Sequence, residues 1–185
     1  MEIYQPAEDS YLMSKILKEK LPDILNKNPN LTFLEIGAGS GINLETILNL
    51  GIKKENILSC DINQDSVNHC KKLGFNCIYS DLFQNIKGIY DVIIFNPPYL
   101  PHEEDEPKES QISTTGGKRG NEIIINFLKQ AKSHLKKDGL IFLITSSLSP
   151  KINFKKLGYF SKEISHENFF FEKIYIWEIS KLNKH

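Results

Sequence analysis

Strand-length apolar runs alternate with amphipathic helical stretches along this chain, and that alternation limits its fold more than any other feature. Residues 8–21 put Tyr11, Leu12, Ile16 and Leu17 on one face of a predicted helix, with Pro22 near its end. The runs Leu31-Thr32-Phe33-Leu34-Glu35-Ile36, Asn56-Ile57-Leu58-Ser59-Cys60, Phe75-Asn76-Cys77-Ile78-Tyr79, residues 90–95 and residues 139–145 read as five strands. Predicted helices over 43–50, 64–73 and 122–135 separate them, with Gly51 and Gly74 as stops for the first two. Such alternation makes a doubly wound parallel sheet with helices on both faces. Two last strands, over 160–164 and 169–179, leave no room for a crossover helix and should pair antiparallel; the second holds the only tryptophan, Trp177. The expectation is therefore an α/β, Rossmann-like sheet of seven strands, mostly parallel with an antiparallel C-terminal hairpin, forming one domain over residues 1–185.

The first strand runs into Glu35-Ile36-Gly37-Ala38-Gly39-Ser40-Gly41. Glycines there let the backbone turn sharply and approach a ligand at the carboxyl edge of the sheet. The spacing is G-x-G-x-G, and Ile42 stands where the third glycine of a dinucleotide-binding turn would be. The carboxylate of Glu35 would repel a pyrophosphate and suits a cation. S-adenosylmethionine, with a sulfonium, an ammonium and no phosphate, fits those constraints. Asp61, with Ile62 beside it, ends the second strand and can accept both hydroxyls of a ribose. Asp81 follows the third strand, where an adenine amine would lie, with Leu82 or Phe83 to cover the ring.

After the fourth strand comes Asn96-Pro97-Pro98-Tyr99. The Asn96 amide oxygen and the Pro97 carbonyl can each accept one hydrogen of a planar NH2 group. The prolines bring no competing N–H and fix φ near −65°, and Tyr99 offers a flat face. The acceptor of the reaction is then an amide or a nucleobase amine. Residues 100–120 have no apolar period, and a loop of that length in a compact domain is usually functional. It carries Glu103, Glu104, Asp105 and Glu106, either a solvated run or a wall for a protein partner, and ends near Lys118 and Arg119, which could meet an acidic surface. His102 reads as a loop residue rather than a proton acceptor.

Lys plus Arg and Asp plus Glu number 23 each, so the basic excess typical of a chain that grips nucleic acid alone is missing. Cys60, Cys70 and Cys77 match no zinc or redox spacing and read as buried thiols, so no metal is expected. Neither a signal-peptide pattern nor the ~18 apolar residues of a membrane span occurs, which predicts a cytoplasmic protein.

Together with the opening Tyr4-Gln5-Pro6-Ala7-Glu8-Asp9-Ser10, the glycine turn and the Asn-Pro-Pro-Tyr tetrad make the chain resemble the HemK-like family. Gly116-Gly117-Lys118-Arg119-Gly120-Asn121-Glu122 also looks like that family's Gly-Gly segment. The resemblance implies a class I methyltransferase fold and S-adenosylmethionine-dependent N5-methylation of a glutamine in a class 1 translation release factor (its GGQ motif). It implies Asn96, Pro97 and Tyr99 as the catalytic group. Tyr4, Pro6, Glu8, Asp9 and Ser10 join Glu35, Gly37, Gly39, Gly41, Asp61, Ile62, Asp81, Leu82 and Asn96 as cofactor-binding residues. With only three residues before Tyr4, the sequence is similar to the short eukaryotic and archaeal branch. That branch works with a small zinc-binding activator subunit, which would add to the edge strand 75–79. The rival readings are an N6-adenine or other amino-group methyltransferase of nucleic acid, a protein lysine methyltransferase, and a non-catalytic scaffold.

Overall fold

A computed structural model describes residues 3–100, 115–169 and 171–182. In chain order the elements are α1 (Glu8–Lys27), β1 (Phe33–Ile36), α2 (Ile42–Asn49), β2 (Ile57–Asp61), α3 (Gln64–Lys72), β3 (Cys77–Tyr79) and β4 (Tyr90–Phe95). They continue with α4 (Glu122–His134), β5 (Leu135–Ser146), β6 (Tyr159–Phe169) and β7 (Glu172–Lys181). The strands form one seven-stranded sheet in the order β3-β2-β1-β4-β5-β7-β6. Strands β1 to β5 pair in parallel, whereas β7 runs antiparallel to both β5 and β6. The expected architecture is the observed one.

The parallel strands are apolar on both faces because both faces are covered. In β4, Val92 and Ile94 join the cluster that contains Leu12, Met13 and Leu17 of α1 and Leu44 and Ile47 of α2. The alternate residues Ile93 and Phe95 pack with Ile124, Phe127 and Leu128 of α4. From β1 the chain winds outward through β2 to β3, then returns to β4 on the other side of β1. Ligand crevices form at such a reversal, beyond the carboxyl ends of the strands. Glu35 and Asn96 sit there.

Several boundaries depart from expectation. Helix α1 does not stop near Pro22 but carries it in its interior and runs on to Lys27. Ile24 and Leu25 pack against the core beyond it, and that burial outweighs the lost backbone donor. Phe75 is buried just before β3, which is reduced to three residues, and an ammonium of Lys54 sits 5.3 Å from its ring centroid. The hairpin turn falls after Phe169, so that residue closes β6 rather than opening β7. As the outer strand of the sheet, β6 is buried only at Tyr159 and is otherwise exposed or half-buried, and its polar stretch Ser165-His166-Glu167-Asn168 carries no apolar signal to read. The three cysteines are free and buried, as expected. His102 and the acidic run lie outside the described residues. Among those described, no helix is long and apolar enough to cross a membrane, and no cluster of His, Cys, Asp and Glu could hold a metal ion.

Candidate active site

The glycine turn leaves β1 in left-handed backbone: φ is 71° at Gly37 and 51° at Gly39, where side chains are strained. A Cβ on Gly37 would meet the Phe95 ring at 3.4 Å, so the turn lies tight against the end of β4. Neighbouring β2 fixes its course. The N–H groups of Gly37 and Ala38 donate to the Cys60 carbonyl at 2.9 and 3.0 Å, and that of Gly39 donates to Asp61 Oδ2 at 2.8 Å.

Two carboxylates face the turn. Glu35 is 2% exposed; its Oε1 accepts from Asn43 Nδ2 at 3.0 Å, while Glu35 Oε2 and Asn43 Oδ1 are buried with no hydrogen-bond partner. Burial pushes the Glu35 carboxyl up to about 8. Burial also raises the Asp61 carboxyl, although the N–H groups of Asn63 and Gly39 donate to it and oppose the shift. Two unpartnered oxygens beside an open glycine turn, both acceptors once Glu35 ionises, suit a ligand with N–H donors and positive charge. They do not suit a phosphate. The donor set therefore fits S-adenosylmethionine.

The Asn-Pro-Pro-Tyr tetrad leaves β4 on the opposite side of the same crevice. Asn96 Oδ1 is buried and has no donor within the protein. The tetrad's far end is held from two directions. The Tyr99 hydroxyl donates to Asp9 Oδ2 at 3.4 Å, and the Tyr99 carbonyl accepts from the Ser149 hydroxyl, which also reaches the Gly120 carbonyl at 3.3 Å. Gly116 packs here because any Cβ would stand 2.7 Å from the Pro98 carbonyl, and its N–H donates to the Leu100 carbonyl at 2.9 Å.

A cavity of about 840 Å³ joins these parts. Its walls include Tyr4, Asp9, Ser10, Glu35, Gly37, Gly39, Asp61, Ile62, Asp81, Leu82, Asn96, Pro97 and Tyr99 from the sequence expectation. Pro6, Glu8 and Gly41 are not among its lining residues. Glu8 is exposed in the first turn of α1, and Gly41 faces the C-terminal end of α3, where a Cβ would meet Cys70 Sγ at 3.5 Å and Leu73, just beyond the helix, at 3.3 Å. Of the two residues offered as a ring cover, Leu82 borders the cavity with a φ of 47°. Phe83 turns into the core, its ring centroid 4.8 Å from that of His134. Ser80 sets that turn, donating to the Leu82 carbonyl at 2.9 Å and accepting from Asn85 N–H at 3.0 Å. Sequence reasoning missed Ser80, Asn43, Gln130 and Glu172, all in the cavity wall. Only Asn43 gave a signal, being a polar residue eight positions after Glu35 on the helix that the glycine turn opens. Lys118 and Arg119 are exposed, the N–H of the latter donating to the Glu122 carboxylate at 3.2 Å.

The family described as Eco57I restriction-modification methylase matches residues 12–180. A putative protein N5-glutamine methyltransferase of Methanocaldococcus jannaschii is 40% identical over 176 residues, covering 89% of this chain and 84% of that one. The eRF1 methyltransferase catalytic subunit mtq2 of Schizosaccharomyces pombe is 26% identical, covering 77% of this chain and 72% of its own length. Among solved structures, that of the E. cuniculi Mtq2-Trm112 complex superposes with a TM-score of 0.72 at 23% identity, over 98% of this chain and 99% of that one. That likeness gives the fold, a class I methyltransferase.

Proposed function

The chain belongs to the HemK-like family of glutamine N5-methyltransferases, and on that premise we propose that it methylates a glutamine side chain of a class 1 translation release factor, with S-adenosylmethionine as donor. One observation carries this reading: the buried, unpartnered amide oxygen of Asn96 in the wall of the cofactor crevice. Bound S-adenosylmethionine supplies an electrophilic methyl group on its sulfonium. The chain's own residues do the rest. Asn96 Oδ1 and the Pro97 carbonyl accept the two N–H bonds of the acceptor amide, which aims the weak nitrogen lone pair into the crevice. As that nitrogen becomes positive, the same two oxygens stabilise it, so positioning and electrostatics supply the acceleration. The nitrogen then loses a proton to water without a strong base. Tyr99 gives the acceptor a flat wall, and Glu35, Asn43, Asp61, Asp81 and Leu82 hold the donor.

The fission-yeast relative is named as a catalytic subunit. We extend that to a small zinc-binding activator here, which would add a strand to β3 at the open edge of the sheet, where Tyr79 is 51% exposed. The site of action would be the cytoplasm.

The match to the Eco57I methylase family favours a second reading, methylation of a nucleobase amine, which the same two oxygens could hold. A formal net charge of 0 speaks against a chain that must extrude a base and hold the strand unaided. Mass spectrometry decides between them. A release factor and an oligonucleotide are incubated separately with enzyme, labelled donor and candidate activator. A methyl group on a glutamine nitrogen is the expected result; label on the oligonucleotide or on lysine would overturn it.

A further inference from the structure

The acceptor tetrad and the N-terminal segment lie far apart in sequence, and one buried carboxylate joins them. Asp9, 5% exposed, accepts from the Tyr4 hydroxyl at 3.1 Å to each oxygen and from the Tyr99 hydroxyl at 3.4 Å. The N–H and hydroxyl of Ser10 donate to its Oδ1 at 2.6 and 3.1 Å. Tyr4 belongs to the donor side of the cavity, since its Cβ and carbonyl stand 3.9 Å from the place a Gly39 Cβ would occupy. Tyr99 belongs to the acceptor side, at the end of the segment whose Asn96 and Pro97 oxygens do the gripping. Asp9 thus has one tyrosine on each half of the reaction centre. Burial, with Asp9 adding to it, raises both phenols above their ordinary range, so both remain neutral donors at working pH.

We infer that Asp9 is a positioning residue that couples cofactor seating to the setting of the acceptor tetrad. The inference rests on the function proposed above. A ligand in the glycine turn fixes Tyr4, which fixes the Asp9 carboxylate, which in turn fixes Tyr99 and the two acceptor oxygens upstream of it. Coupling of this kind is reciprocal. Loss of the Tyr99 hydroxyl, which reaches the donor side through Asp9, should therefore weaken the cofactor.

The test is a double-mutant cycle read by calorimetric affinity for S-adenosylmethionine, with melting temperatures recorded for every variant. Tyr99→Phe should weaken the cofactor by roughly three- to tenfold, the scale of one ordinary hydrogen bond, as suits a 3.4 Å contact. Tyr4→Phe should do at least as much. The double variant should be no weaker than about the worse single, because both hydroxyls act through one carboxylate. Asp9→Asn, which keeps one acceptor oxygen, should fall between wild type and Asp9→Ala. Unchanged affinity in Tyr99→Phe, or a double variant whose loss is the product of the singles, overturns the inference. A wild type that binds no S-adenosylmethionine overturns both this and the proposed function. A wild type that binds and couples but labels no glutamine leaves the coupling standing and removes only the substrate.

Discussion

The amide oxygen of Asn96 and the carboxylate of Asp61 face the same cavity in opposite conditions. Asn96 Oδ1 has no partner, whereas both oxygens of Asp61 already accept backbone N–H groups. A buried acceptor left alone costs roughly 1–3 kcal/mol, which a ligand can recover and a truncation can remove. Asn96→Ala should therefore lower kcat by about a hundredfold or more, as removal of a charge-stabilising group does elsewhere. Cofactor affinity should stay within about twofold, and the melting temperature should hold or rise. Asp61→Ala should show the reverse order, weakening the cofactor first, because it removes the proposed ribose acceptor and releases Gly39 N–H from its hydrogen bond. Calorimetry and single-turnover rates on the two variants check this. Matching profiles would mean that donor and acceptor roles are not divided between β2 and β4 as proposed.

At the scale of elements, α1 and β3 carry the sharpest expectations. Pro22 is exposed in the interior of α1, so its ring removes a helical hydrogen bond without contributing burial. Pro22→Ala should stabilise the fold by about 1–3 kcal/mol, seen as a higher melting temperature with unchanged activity. In β3 the ladder to β2 uses the Asn76 carbonyl and Ser80 N–H, leaving Tyr79 N–H directed at the open edge. Tyr79→Pro should abolish copurification with a strand-adding activator while cofactor binding persists; retained copurification would place the partner elsewhere. These two elements also mark the limits of what could be read beforehand. The glycine turn, Asp61 and the tetrad were legible because backbone geometry demands particular residues at strand ends. The interior position of Pro22 was not, because only tertiary contacts of Ile24 and Leu25 keep the helix going past it. Ser80 and Glu172 were equally silent. Ser80 acts through hydrogen bonds to backbone, and Glu172 reaches the site only because β7 inserts between β5 and β6.

For the molecule as a whole, the cavity is a stability cost that its ligand should reverse. Folding takes Glu35 out of water and raises its carboxyl from an ordinary 4.5 to about 8. The folded chain then binds that proton more tightly than the unfolded chain does. The stability this contributes is fully present below pH 4.5 and is lost as pH rises to about 8, at a slope of at most about 1.4 kcal/mol per unit. Glu35→Gln keeps the shape and removes the titration. The melting temperature of that variant relative to wild type should accordingly climb between pH 5 and pH 8, a difference that cancels every other titrating group. A cationic ligand acts in the opposite sense, because positive charge beside Glu35 lowers its pKa again. At neutral pH the empty cavity holds the Glu35 proton, so binding S-adenosylmethionine should release close to one proton per chain. Calorimetry in buffers of different ionisation heat measures that number directly. Wild type should show release that disappears in Glu35→Gln, and equal release by both would move the ammonium away from β1.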